Sequence, residues 1–195
     1  MSATLALGLA DPPLDSQRIF RALLQAFSHP GRIVDLPLAP EAPAPLWRSS
    51  AAVALTLLDY ETPLWLDGAA DVDPVRDFLR FHCGSPLVTV PRAARFAIIA
   101  APLSMPGLTD FDQGEAAYPD RSTTLILQVP RFAGQSVLLS GPGIESFTDV
   151  AVDGLPADFW RQWRGNHEGF PQGVDVILTG PAAVVALPRS IKAET

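Results

Sequence analysis

Arg76, Arg80 and His82 form the densest group of chemically able side chains in the sequence. Arg76 and Arg80 stand four positions apart, so on a helix they share a face, where two guanidinium forks can grip a phosphate, a phosphonate or a carboxylate. Asp73 and Asp77 lie on the same stretch, so the arginines equally fit an exposed face laced with local ion pairs. Arg18 and Arg21, close to Asp15, carry the same two readings.

Most other chemistries fail on a missing residue. A Schiff-base enzyme needs an internal lysine and a P-loop needs Gly-Lys-Ser/Thr, but the 14 basic residues are 13 arginines and Lys192, close to the end. Gly141-Pro142-Gly143 opens like a dinucleotide fingerprint, yet Ser146 stands where its last glycine belongs, so a turn is the simpler use. Gly134-Gln135-Ser136-Val137-Leu138 lacks the closing glycine of a nucleophile elbow. Cys83 directly follows His82, but sequence neighbours can point apart, and an inert buried thiol is the plainer reading. His29, His82 and His167 are too widely spaced to suggest a metal site. Asp59 with Glu61, and Asp71 with Asp73, suit capping and solvation better than paired acid–base work.

The elements that must position these residues can be read from periodicity. Ile19, Phe20, Leu23, Leu24 and Phe27 predict an amphipathic helix over 15–27, capped by Asp15 or Ser16 and stopped by His29-Pro30-Gly31. Residues 33–36 read as a short strand, 37–45 as an extended loop with four prolines, and 46–58 as a second helix. After a strand at 63–66, Asp73-Pro74 reads as the N-cap and first position of a helix that carries Arg76 and Arg80 and ends at Gly84. A buried strand at 96–100 precedes a long loop with one helical turn at 102–121. Residues 123–129 and 136–140 predict a hairpin, 156–164 a helix with Phe159, Trp160 and Trp163 on one face, and 174–178 with 183–187 a final hairpin around Gly180-Pro181. Interleaved helices and strands place the fold in the α/β class.

At 195 residues, with 48% apolar and 18% charged side chains, the chain suits one globular core. We expect an N-terminal arm over 1–14 and a single domain over 15–195. The net charge of −7 disfavours nucleic acid, whose phosphates demand clustered cations. A single cysteine excludes an intramolecular disulfide and fits a reducing compartment. The first residues carry no basic leader and soon meet Asp11-Pro12-Pro13, and no apolar run has the length and character of a membrane span. A cytoplasmic protein without membrane contact is the expectation.

An ordered series of segments resembles the PhnH family, subunits of the bacterial carbon–phosphorus lyase system for phosphonate breakdown. The segments are Phe20-Arg21-Ala22-Leu23-Leu24-Gln25-Ala26-Phe27-Ser28-His29-Pro30-Gly31, Leu57-Leu58-Asp59 with Thr62-Pro63-Leu64-Trp65-Leu66, and Arg80-Phe81-His82. Further along come Thr124-Leu125-Ile126-Leu127-Gln128-Val129, Ser140-Gly141-Pro142-Gly143-Ile144, Phe170-Pro171-Gln172-Gly173-Val174-Asp175 and Leu187-Pro188-Arg189.

This resemblance implies an α/β fold related to the pyridoxal phosphate-dependent transferases but without the cofactor, a tendency to form a homodimer, and membership of a multisubunit complex. In that complex a phosphonate is joined to the ribose C1 of ATP with release of adenine, giving a ribose 1-phosphonate 5-triphosphate. A separate iron–sulfur radical subunit then breaks the carbon–phosphorus bond. No catalytic residue of the family maps onto this sequence, and the motif holding Arg80 and His82 suits an interface or structural role as well as a ligand. Three readings follow: an assembly subunit with catalysis mainly elsewhere, using aromatics such as Trp47 or Trp160 at its interfaces; a subunit that binds phosphonate or nucleotide through Arg76, Arg80 and His82; and a free-standing transferase.

Overall fold

The computed structural model describes residues 6–37 and 40–194; the start of the expected arm, two positions of the proline-rich loop and Thr195 lie outside them. Helix α1 (Pro12–Ser28) begins before the expected Asp15. Pro12 and Pro13 explain the difference, because proline is preset for a first helical turn and leaves no orphan N–H there. Asp11 caps the helix by accepting from Leu14 N (3.4 Å), while Asp15 accepts from Asp11 N (2.9 Å) from inside the first turn. Ile19, Ala22, Leu23 and Ala26 point into the core, and Phe20 and Leu24 point outward. The helix stops where expected: His29 N donates to Gln25 O, and Gly31 turns the chain with φ of 79°.

After β1 (Val34–Asp35) come α2 (Arg48–Leu57), β2 (Leu64–Leu66) and α3 (Asp73–His82). The N-cap of α3 is Val72 rather than Asp73, whose carboxylate instead accepts from Arg76 Nη1 (3.0 Å). Strand β3 (Leu87–Val88) is too short to leave an alternating pattern in the sequence. Between β4 (Phe96–Ile99) and β5 (Thr124–Gln128) the expected loop holds three single 3-10 turns, Pro102–Ser104, Leu108–Asp110 and Pro119–Arg121. The chain ends with β6 (Ser136–Ser140), β7 (Thr148–Ala151), α4 (Phe159–Glu168), β8 (Asp175–Thr179), β9 (Ala183–Leu187) and β10 (Lys192–Glu194).

Seven strands form one mixed sheet in the order β1-β9-β8-β5-β4-β2-β3. β3, β2, β4, β5 and β8 run parallel, and the expected β8–β9 hairpin supplies the antiparallel step. The expected hairpin between β5 and β6 does not form. β5 is buried on both faces and lies between β4 and β8, whereas β6 alternates exposed and buried positions in a separate sheet of order β10-β6-β7. That contrast was present in the residues: Thr124-Leu125-Ile126-Leu127 is a continuous apolar run typical of a central parallel strand, and Pro130 cannot continue a ladder.

Side-chain alternation splits the core into two layers. Ile98, Ile126 and Ile177 pack under α1, α2 and α3, while Ala97, Ile99, Leu125, Leu127 and Val176 face α4, the small sheet and the 3-10 turns. Trp163 of α4 is fully buried and donates from Nε1 to Ile191 O (2.9 Å), which fixes the start of β10. Among the described residues no helix is long and apolar enough to cross a membrane.

Candidate functional site

The carboxyl ends of parallel strands are where open α/β sheets leave room for ligands. At the ends of β2 and β3 a cleft of about 450 Å³ is walled by Trp65, Leu66, Val88, Asp71, Arg76 and Arg80. The β-α step places both arginines as expected, since the loop after β2 turns directly into α3. Asp67, buried just past β2, holds that crossing: its carboxylate accepts from Ala70 N and Ala101 N, both at 2.8 Å. Nothing in its sequence neighbourhood marks Asp67, because both partners are main-chain groups, one of them far along the chain.

Within this cleft the arginines are already engaged. Arg76 donates from Nε to Asp71 (2.6 Å) and from Nη1 to Asp73 (3.0 Å). The bond from Arg76 holds the Asp71 carboxyl below its ordinary range and tightens the guanidinium's grip on its own proton. Arg80 is held more loosely, 3.7 Å from Asp77, with its side chain mostly in solvent. Arg18 likewise stands 3.8 Å from Asp15.

The third predicted residue lies apart from this cleft. His82 lines a separate pocket with Leu7, Leu9, Pro40 and Arg48, where its Nε2–H donates to Ala6 O (3.1 Å). Gly8 presses on the ring so closely that a Cβ there would stand 2.8 Å from it, and Phe78 and Phe81 flank the ring within 4.7 and 5.0 Å. The histidine therefore clamps the segment before α1 onto α3.

The remaining candidates are occupied structurally. Cys83 is largely buried and donates to Ala54 O (3.8 Å), and burial, aided by the charge of Asp59, pushes its thiol up to about 12. His29 donates to Gln25 O (3.1 Å) and His167 to Arg189 O (3.4 Å). Lys192 pairs with Glu194 at 3.1 Å. Among the described residues no group of three or more His, Cys, Asp or Glu could hold a metal ion.

Several family-like segments serve as joints. Gly143 turns with φ of 85° directly against Ser28 O, so a side chain there would strike the backbone; the two segments together line a cleft of about 490 Å³ containing His29, Arg32 and Glu145. Gln128 accepts from Trp47 N (2.7 Å) and donates to Pro45 O (3.1 Å), tying the start of α2 to the end of β5. Arg189 forms a two-pronged pair with Asp175 and also donates to Pro119 O. Trp47 and Trp160 are half-buried; the exposed aromatics are Phe20, Tyr60, Phe81, Tyr118, Phe147 and Phe170.

The geometry can be set beside known proteins. A family profile described as "Bacterial phosphonate metabolism protein (PhnH)" matches residues 7–194. The chain is 40% identical over 186 residues to a Rhizobium meliloti (strain 1021) protein named "Alpha-D-ribose 1-methylphosphonate 5-triphosphate synthase subunit PhnH", covering 95% of this chain and 93% of that one. It is 32% identical over 180 residues to a Stutzerimonas stutzeri protein named "Putative C-P lyase subunit protein HtxG", covering 89% and 83%. A profile that spans all but the ends of the chain, and 40% identity across nearly all of a named relative, lead to one assignment: this chain belongs to the PhnH family of bacterial phosphonate metabolism proteins.

Proposed function

We propose that this chain is a non-autonomous subunit of a carbon–phosphorus lyase assembly, in which it supports transfer of a phosphonate to the ribose C1 of ATP. A phosphonate oxygen forms the new bond to C1 as the bond to adenine breaks, and the attacking and leaving groups are handled mainly by other subunits. The observation that carries this reading is that the reactive side chains are already at work within the fold. Cys83 is half-buried with its thiol pushed up to about 12, and each of the three histidines donates to a main-chain carbonyl. Similarity to a named synthase subunit across nearly the whole chain supplies the assembly.

The reading extends to kinship with pyridoxal phosphate-dependent transferases without the cofactor; the mostly parallel sheet covered on both faces belongs to the same broad α/β class. Outward-facing Phe20, Leu24, Phe81 and Phe147 provide apolar surface for a copy of the chain or for other subunits, in the cytoplasm. Co-purification with the other lyase subunits, through size exclusion, is the expected behaviour; elution of this chain alone from a co-expressed set overturns the assignment.

A second reading is favoured by one contact. Arg80 is loosely paired at the mouth of the cleft beside β2 and β3, where it can hold a phosphonate or triphosphate oxygen with little competition from Asp77. Arg80→Ala should then abolish growth on phosphonate while Tm and co-purification stay unchanged. Loss of co-purification instead makes Arg80 an interface residue, and normal growth removes it from the function.

A further inference from the structure

Among the described residues the cation with a buried, unpartnered donor is neither Arg76 nor Arg80 but Arg95, at the opposite end of the sheet. Its backbone is pinned where the parallel strands begin: Arg95 N donates to Pro63 O (2.7 Å), and Arg95 O accepts from Thr124 N (2.9 Å). The side chain walls a cleft of about 330 Å³ shared with Asp59, Glu61, Asp120, Ser122 and Thr124. Nη1 of the guanidinium is shielded from solvent and finds no acceptor, and no carboxylate among the described residues comes within the 4.0 Å of an ion pair. Ser122, only 5% exposed, stands in the same cleft with an equally unpartnered Oγ.

Buried donors without acceptors are rare in folded proteins and call for an explanation. Two of them, on residues from separate segments that wall one cleft, point to an acceptor from outside the chain. A planar guanidinium beside a hydroxyl suits an oxyanion, either a carboxylate or a phosphonate. Neither atom has an internal bond to give up, whereas Arg76 would have to leave two carboxylates.

The surrounding charge narrows the ligand. Asp59, Glu61 and Asp120 line the same cleft, and Asp59 spends one carboxylate oxygen on Glu61 N (2.9 Å). Three carboxylates around one cation repel a polyanion such as a nucleoside triphosphate and attract an ammonium group. We propose that the Arg95–Ser122 cleft binds a small zwitterion, with its oxyanion on Arg95 and Ser122 and its ammonium group on the acidic wall. The proposal does not depend on the subunit assignment.

Calorimetric titration of the full chain tests it with four probes: 2-aminoethylphosphonate and β-alanine as zwitterions, and ethylphosphonate and ethylamine as their singly charged counterparts. At least one zwitterion should bind roughly tenfold more tightly than both counterparts, the scale of one charge-assisted contact; the tighter of the two identifies the oxyanion. Arg95→Gln should remove this binding with the circular dichroism spectrum intact. Should Arg95→Gln fail to fold, Asp120→Asn at an exposed position carries the test, weakening the zwitterion but not ethylphosphonate. No zwitterion binding, equal binding of ethylphosphonate, or binding that survives Arg95→Gln overturns the proposal.

Discussion

Two arginine-bearing clefts lie at opposite ends of one mostly parallel sheet and differ in what their guanidinium groups already hold. At the carboxyl ends of β2 and β3, Arg76 is bound by Asp71 and Asp73, and Arg80 leans on Asp77. At the amino ends of β4 and β5, Arg95 meets no acceptor although three carboxylates share its cleft. Clustered arginines at helical spacing advertise charge, but carboxylates at i−3 and i−5 decide whether that charge is free. Partners supplied by sequence neighbours neutralise a cation cheaply in solvent. A solitary arginine held by strand ends has no such neighbours and must find its counterion across the fold or outside it.

Removing the support of the first cleft with Asp67→Ala should have the largest effect, about 3 kcal/mol in urea unfolding, since two main-chain N–H groups at a buried crossing lose a charged acceptor. Asp175→Ala acts on the second cleft, because Asp175 pairs in register with Thr124 and holds Arg189, which in turn holds Pro119 before the Ser122 turn. It should cost about 2 kcal/mol, less than a fully buried pair because both side chains retain some exposure. A loss of zwitterion binding in Asp175→Ala but not in Asp67→Ala sharpens the separation of the clefts; equal loss in both erases it.

The smallest effect is expected from Asp71→Asn, at an exposed pair, with Tm lowered by no more than a degree or two, roughly the change from a surface ion pair. Its pH dependence carries more information than its size. Arg76 lowers the folded-state pKa of Asp71, so the stabilisation is present above the unfolded value of about 3.9 and is lost as pH falls through the lower folded value. The Tm difference between the two proteins should close in strong acid. A difference that persists there means Asp71 acts through something other than its charge.

Much of the fold was legible where local pattern and tertiary role agree. α1, α3 and the β8–β9 hairpin announce themselves through apolar periodicity and through Gly31, Gly84 and Gly180-Pro181. The reading failed where a strand's partner is chosen by burial rather than proximity: Ser136–Ser140 follows β5 closely but joins β7 and β10 in another sheet. Strands as short as Leu87–Val88 leave no period to detect. For the first cleft, sequence spacing brought Arg76 and Arg80 together correctly, but adjacency misplaced His82, which turns toward Ala6 and Gly8. Arg95 and Ser122 were invisible, since 27 positions separate residues that only the β4–β5 pairing brings together.

In the proposed assembly this chain contributes to chemistry that it does not perform alone. Adenine release from ATP and methylphosphonate, measured with the purified lyase subunits in the presence and absence of this chain, tests it most directly. The complete set should release adenine, the set lacking this chain none, and this chain alone none. Adenine produced by the isolated chain, or undiminished release in its absence, would contradict it.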